Sequence, residues 1–510
     1  MSQPSLASSD RIRIGQFIAQ LRKQKSMTQK ELAGILRTSQ SAVVRMEKGE
    51  QNFSTEMLSK ISAALHKDII TLASGAVNLT IEGGRKLSGT ITTKTSKNAA
   101  VALLCAALLN KGKTTLKNMP RIEEVYRIIE VLVSIGVSAE WKGNDIMIAP
   151  PKKVSLTRLN TVSAKKTRSI VMLWAPLAHL LPRFSLPYPG GCKLGERSVR
   201  PHVYALEEFG FRIKRTPGDE YEIAAKNLKP ATVVLYESGD TVTENALMAA
   251  AKIPGTSIIK FASANYQVQD LCFFLEKLGV RIEGIGTTTL TVHGTPDISM
   301  SVEYEPAEDP TESMLFLSIA ATTQSAITIE RCPIDFLELE LLKLEKMGFR
   351  SAILKRYKAH NGHTNLADIR TFPSTLTALK DKIYARPYPG LNIDNLPFFI
   401  PIATQAKGRT LIHDWVYESR AVYYTELSKL GANVILADPH RVYIEGPTEL
   451  TPAEVVCPPA LRPAAIILVG MLAARGHSVL RNIYSINRGY EDLAVRLNKL
   501  GAHIEVLREF

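Results

Sequence analysis

Internal repetition constrains this chain more than any other feature. A helix that ends in glycine and turns at once into a strand recurs six times: SIGVSAEW around Gly136, EFGFRIKR around Gly210, KLGVRIEG around Gly279, KMGFRSAI around Gly348, KLGANVIL around Gly431 and KLGAHIEV around Gly501. The spacing is about 70 residues. Each glycine is expected in the left-handed conformation that closes a helix, where a side chain would be strained. Ahead of most marks runs a second phrase, an apolar helix closing into a Gly-x-Ser/Thr strand: KNAAVALLCAALLNKGKTTL, TENALMAAAKIPGTSII, LPFFIPIATQAKGRTLI and LRPAAIILVGMLAARGHSVL. Helices apolar on every side must be buried, and a unit of two helices and a few strands cannot bury one alone. Six units therefore predict two α/β domains, each with three units around a pseudo-threefold axis.

Boundaries follow from the repeats. If the first strand, Val77 to Ile81, belongs with the last three units, the chain crosses between domains near Thr95 and again near Glu305. This predicts a head over 1–72, a linker and first strand over 73–96, one domain over 97–305 and a second over 306–510, with a cleft between the two domains suited to a small molecule. The composition is that of a globular protein, 45% hydrophobic and 22% charged, which sets aside disordered and fibrous classes. The polar start lacks a secretory pattern, and the longest apolar run, Ile466 to Ala474, is far short of a membrane span. A cytoplasmic protein with no membrane association is expected. Five scattered cysteines with no CxxC pair argue against a disulfide framework or structural zinc.

The head reads as a bundle of short amphipathic helices. Ile14, Phe17, Ile18 and Leu21 share one face, Thr28-Gln-Lys-Glu31 is a capping box opening a helix through Leu32 and Ile35, and Ser39 to Met46 forms a third helix. Ser54 opens a fourth through Leu58, Ile61 and Leu65. The string TQKELAGILRTSQSAVVRMEKG resembles the lambda-repressor/Cro family of helix-turn-helix domains, with Arg37 where that family often has a turn glycine. The resemblance implies that Gln29, Ser39, Gln40, Ser41 and Arg45 face DNA and that a homodimer would strengthen binding. The alternative is a protein-interaction bundle with a solvated polar face.

In the body, the buried helices begin with polar groups that a core helix does not need: Ser96-Lys97-Asn98, Lys165-Lys166-Thr167-Arg168, Thr243-Glu244-Asn245, Asp309 with Glu312, Asp394-Asn395, and Arg462. Cations at helix N-termini are unfavourable unless an anion is bound between them, so Lys97, Arg168 and Arg462 point to an anionic ligand, whereas Asp309 and Glu312 read as capping. Pro189-Gly-Gly-Cys192-Lys-Leu-Gly-Glu-Arg197 is a basic, glycine-rich segment of the kind that closes on a charged substrate; a thiol among cations is poised for proton transfer, although the motif by itself reads more simply as a reduced surface cysteine in a turn. Cys105 and Cys272 read as core.

SKNAA, PGGC with Gly195 and Arg197, PYPG with Asp394, YESR ending at Arg420, the Leu461-Arg462 pair and INRGYE with Arg488 occur in order. The combination resembles the UDP-N-acetylglucosamine 1-carboxyvinyltransferases, an enolpyruvyl transferase family, across residues 77–510. The resemblance implies the two-domain inside-out α/β barrel of six units. It implies Cys192 as the acid that protonates the methylene of phosphoenolpyruvate and Asp394 as the base for the sugar 3-hydroxyl. Lys97, Arg197, Arg420, Arg462 and Arg488 would hold the phosphate and carboxylate, and Asn98, Arg168, His202 and Val416 the acceptor side. The partners are phosphoenolpyruvate and UDP-N-acetylglucosamine, and the scheme needs no cofactor and no metal.

The chain departs from the family pattern at Met172 for Trp, Ala460 for Asp, Arg200-Pro201 for Asp-Leu, Asn487 for Asp, and over Glu237 to Val242. Most of these touch nucleotide recognition. Two other readings are a transcription regulator whose body senses UDP-sugars without turnover, and a transferase for another acceptor such as shikimate 3-phosphate. Of the net charge of +14, residues 1–75, with 11 Lys and Arg against 6 Asp and Glu, carry +5, so a polymeric anion accounts for the smaller share and the body expects an anion of its own.

Overall fold

The computed structural model describes residues 27–36, 38–50, 77–190 and 198–508, with scattered positions between 15 and 23 and between 57 and 64. Cys192 and Arg197 lie outside the described residues, as do Ile14, Phe17, Arg37, Ser54, Leu58 and Leu65. The chain divides into two units, one up to Asn78 together with the residues from Val506, the other Leu79–Glu505.

In the head, helices Gln29–Ile35 and Gln40–Lys48 form as their caps dictate. The Thr28 hydroxyl accepts from the Glu31 N–H at 3.2 Å while the Thr28 N–H donates to Glu31 Oε2 at 2.6 Å, and Ser39 Oγ accepts from the Ala42 N–H at 3.2 Å. Both devices satisfy N–H groups left over at a helix start. Ile18, Leu21, Leu32, Leu36, Val43, Met46 and Ile61 form a small core. Ile35 is exposed instead; Leu36, the next residue, takes the buried place.

Among its described residues the body has six small sheets, as many as the repeats. All six marker glycines have φ between 80° and 100°, so each closes its helix in the region only glycine enters freely. In three sheets a buried helix joins two parallel strands: Thr232–Val234 to Gly255–Lys260 through Asp240–Ala250, Glu454–Val456 to Gly476–Arg481 through Leu461–Ala473, and Leu376–Thr377 to Ala406–His413 through Phe399–Thr404. The last helix is short and follows a 3₁₀ turn, Leu396–Phe398, that contains Pro397.

Two units exchange their first strands. Ser88–Thr92 leads into helix Lys97–Ala106 but pairs in parallel with Ala326–Pro333, while Val302–Tyr304 leads into helix Pro310–Thr323 but pairs in parallel with Thr114–Leu116. At the exchange Thr95 bridges Glu308, and the Asp309 N–H donates to the Lys94 carbonyl at 2.8 Å. Val77–Gly83 pairs with Gly476–Arg481, near the far end of the chain. No described strand between 114 and 304 pairs with one outside that span. The sheets surround buried helices, and none of the described sheets closes into a barrel. Cys105 and Cys272 are fully buried, as core residues should be. No described helix is long and apolar enough to cross a membrane.

Candidate active site

Lys97 opens helix Lys97–Ala106, whose N-cap Ser96 accepts from the Ala99 N–H at 3.2 Å. Arg462 is the second residue of helix Leu461–Ala473, whose first residues have no side-chain cap because Ala460 cannot supply one. Asp394 stands just before the 3₁₀ turn Leu396–Phe398, its N–H donating to Asn392 Oδ1 at 2.9 Å. Two arginines meet Asp394: Arg462 Nη2 donates to its Oδ2 at 3.3 Å, and Arg420 Nη1 lies 3.9 Å from its Oδ1. Burial opposes charge on Asp394, but Arg462, Arg420 and Lys97 outweigh it and hold the carboxyl below its ordinary range. Burial also pushes the Lys97 ammonium down; Arg462 and Arg488 add to this, while Glu124 and Asp394 oppose it.

Glu124 was not singled out in the sequence, where it reads as an acidic first-turn residue of helix Glu123–Ser134. It is 4% exposed. Its Oε2 accepts from Arg488 Nη2 at 2.7 Å and Nε at 3.1 Å, and its Oε1 accepts from the hydroxyls of Thr167 and, at 3.3 Å, Ser169. Despite burial, Lys97 and Arg488 keep it charged, below the usual carboxylate range. Glu124 thereby draws Arg488 and Lys97 to one place although the chain separates it from Arg488 by 364 residues. The only early signal was a second glutamate beside Glu123.

Tyr490, also missed, accepts from Arg462 Nη1 at 3.0 Å and presents its ring 5.5 Å from the guanidinium. Asp414 and Tyr424 hold Arg420. Asn98 donates through Nδ2 to Gln267 Oε1 at 3.0 Å and to the Tyr266 hydroxyl at 3.3 Å. Asp309 caps helix Pro310–Thr323 as expected, accepting from the Thr311 N–H at 2.8 Å, and Glu312 pairs with Arg496 at 2.6 Å.

The remaining expected site residues occupy their own neighbourhoods. Arg168 Nη2 donates to the Ser198 carbonyl at 2.9 Å. Buried His202 has Nδ1 3.0 Å from Asn245 Nδ2 and Nε2 3.4 Å from Thr241 Oγ1. Val416 is exposed. Lys165 and Lys166 depart from expectation: they end the short helix Thr161–Lys166 instead of starting one, where cations suit the negative end of the dipole. In the head, Ser39, Gln40, Ser41 and Arg45 are exposed on and beside the helix Gln40–Lys48. Gln29 Nε2 is bound to Glu47 Oε2 at 2.8 Å, and Glu47 pairs with buried Arg22 at 2.5 Å.

A ring of fixed cations around one ionised carboxylate can bind a polyanion and accept a proton beside it. Residues 81–508 match the family model for EPSP synthase (3-phosphoshikimate 1-carboxyvinyltransferase), and residues 18–72 match a helix-turn-helix family. The chain is 33% identical over 429 residues to UDP-N-acetylglucosamine 1-carboxyvinyltransferase of Bradyrhizobium diazoefficiens, covering 84% of this chain and 98% of that protein. It is 32% identical over 434 residues to the protein of the same name from Treponema denticola, with the same coverages. Among solved structures, the enolpyruvyl transferase NikO from Streptomyces tendae superposes with a TM-score of 0.75 at 23% identity, over 86% of this chain and all of that one. EPSP synthase from Acinetobacter baumannii gives 0.65 at 18%, over 84% of this chain and all of that one; both establish likeness of fold. The chain belongs to the EPSP synthase family of enolpyruvyl transferases, with UDP-N-acetylglucosamine 1-carboxyvinyltransferases among its homologues and a helix-turn-helix domain at its amino-terminal end.

Proposed function

We propose that this protein transfers the enolpyruvyl group of phosphoenolpyruvate to the 3-hydroxyl of UDP-N-acetylglucosamine in the cytoplasm, releasing phosphate, as in the opening step of peptidoglycan synthesis, and that its head binds DNA. The observation that carries the reading is the convergence of Lys97, Arg420 and Arg462 on Asp394, with Arg488 brought alongside Lys97 by Glu124. Homologues near 30% identity over nearly their whole length support the acceptor.

In this scheme Asp394 takes the proton of the 3-hydroxyl as that oxygen attacks C2 of phosphoenolpyruvate. The C2–C3 π pair takes a proton from the Cys192 thiol, turning the methylene into a methyl group. The Cys192 thiolate then takes a methyl proton back from the ketal as the C2–O bond to phosphate breaks, the proton held by Asp394 passes to the departing phosphate, and the enol ether and inorganic phosphate are left. Lys97, Arg197, Arg420, Arg462 and Arg488 stabilise charge on the phosphate and carboxylate throughout, while Asn98, Arg168, His202 and Val416 line the acceptor side. A carboxylate held low is a weak base, but the arriving trianion screens the same cations and raises its proton affinity when the hydroxyl is in place. The body is divided into the domains 97–305 and 306–510, with the first strand joining the latter.

Because the ketal methyl group rotates, turnover in deuterium oxide should place deuterium at C3 of the product. A C3 that stays fully protonated through many turnovers would contradict addition followed by elimination. For the head, retardation of a DNA fragment carrying the gene's own promoter, weakened in Arg45→Ala, is the expected result.

A further inference from the structure

Arg420 stands at the N-cap of the 3₁₀ helix Ala421–Leu430, with its guanidinium 1% exposed. A cation at that end of a helix, away from water, needs an anion. Asp414, itself fully buried, supplies it: Arg420 Nε donates to Oδ2 at 2.6 Å and Nη2 to Oδ1 at 2.9 Å. The second Nη2 proton goes to the Ile393 carbonyl at 2.9 Å, and the Tyr424 hydroxyl donates to Asp414 Oδ2 at 2.5 Å. The backbone of Asp414 is pinned in turn, its N–H donating to the His440 carbonyl at 2.7 Å and its own carbonyl 3.1 Å from His440 Nδ1. The Tyr417 ring covers the guanidinium at 4.4 Å.

Three of the five guanidinium protons are therefore committed. The other two are on Nη1, which has no hydrogen-bond partner among the described residues and lies 3.9 Å from Asp394 Oδ1. We propose that Asp414 is a positioning residue: acting through Arg420, it leaves only the Nη1 edge free and fixes that edge beside Asp394, ready for an anionic oxygen of phosphoenolpyruvate. The proposal rests on the enolpyruvyl transfer reading above. A guanidinium locked before the substrate arrives loses no rotamer freedom when charge develops, the condition under which a fixed donor contributes most.

Asp414→Asn in the full chain is expected to lower kcat by about 100-fold, the scale of losing one preorganised donor, and to raise KM for phosphoenolpyruvate while leaving KM for the acceptor within about twofold. Tyr424→Phe should lower kcat by a few fold with an unchanged thermal midpoint, and it carries the test if Asp414→Asn does not fold. In an Arg420→Lys background, Asp414→Asn should add little, since both changes act on one group. Unchanged kcat and KM in Tyr424→Phe and in folded Asp414→Asn, or full additivity with Arg420→Lys, would overturn the proposal. If the native protein shows no turnover with any acceptor, the functional reading fails separately. Asp414 is then judged by calorimetric binding of phosphoenolpyruvate alone: affinity at least tenfold weaker in Asp414→Asn supports it, and equal affinity, including no measurable binding by either protein, overturns it.

Discussion

Glu124→Gln separates stability from ligand affinity, because the structure gives the residue opposite effects on the two. The amide keeps the size of the carboxylate and can still accept from Thr167 and Ser169, but it removes the negative charge that Glu124 holds against the largely buried guanidinium of Arg488. Removing one partner of a buried pair costs about 3–5 kcal/mol; here the surviving neutral acceptor places the cost near the lower end, about 3 kcal/mol. With an unfolding entropy of about 2 cal/mol/K per residue over roughly 430 residues of the body, each kcal/mol lowers the midpoint by about 1 °C. The expected drop is about 3 °C by scanning calorimetry. Affinity for inorganic phosphate, by contrast, should rise, because Lys97 and Arg488 no longer share a protein anion. A variant with an unshifted midpoint, or one that binds phosphate more weakly than the native protein, would refute the view that Glu124 holds these cations in the empty site.

Other consequences follow from the same geometry. The acid limb of kcat/KM for phosphoenolpyruvate should lie below the ordinary carboxylate range, because Arg462, Arg420 and Lys97 hold Asp394 low against burial; in Lys97→Gln it should move to higher pH, and an unmoved limb would remove Asp394 from that assignment. His179 Nε2 donates to the carbonyls of Met248 at 3.2 Å and Ala249 at 3.0 Å, and burial, helped by Lys252, pushes its ring down to about 4. A neutral ring in the folded state stabilises the body fully above pH 6.5, and the contribution, up to about 3 kcal/mol, is lost as pH falls towards 4; His179→Gln should flatten the urea midpoint over that window, and an unchanged slope would count against it. Glu47→Ala strands Arg22 and releases Gln29, so it should unfold the head by circular dichroism of residues 1–78 in comparison with the native segment. Arg45→Ala should leave the head folded in the full chain while lowering the slope of log affinity against log salt for DNA by about 1.

Periodicity and punctuation made the architecture legible. The six glycines, the capping box at Thr28 and the all-round apolar helices are local features whose physics is complete within a few residues, and each is found as expected. The cations at helix starts were legible for a similar reason, since Lys97 and Arg462 conflict with the dipole unless something anionic joins them. The partners that hold those cations were not legible. Glu124 looks like an ordinary first-turn glutamate, Asp414 an ordinary residue after a strand, and Tyr490 a neighbour of a motif arginine; each acquires its role only from a residue that the fold brings to it. Lys165 and Lys166 show the converse, because a run of cations before an apolar stretch looked like a helix start and is a helix end. Ile35 and Leu36 differ by one position, about 100° around a helix, which is enough to exchange surface for core.

The most direct measurement is phosphate release from phosphoenolpyruvate by the full chain, with UDP-N-acetylglucosamine, other UDP-sugars and shikimate 3-phosphate offered in turn. Release that depends on UDP-N-acetylglucosamine and is lost in both Asp394→Asn and Cys192→Ala is the predicted result. Release with shikimate 3-phosphate alone, or none with any acceptor while phosphoenolpyruvate still binds, would contradict the account.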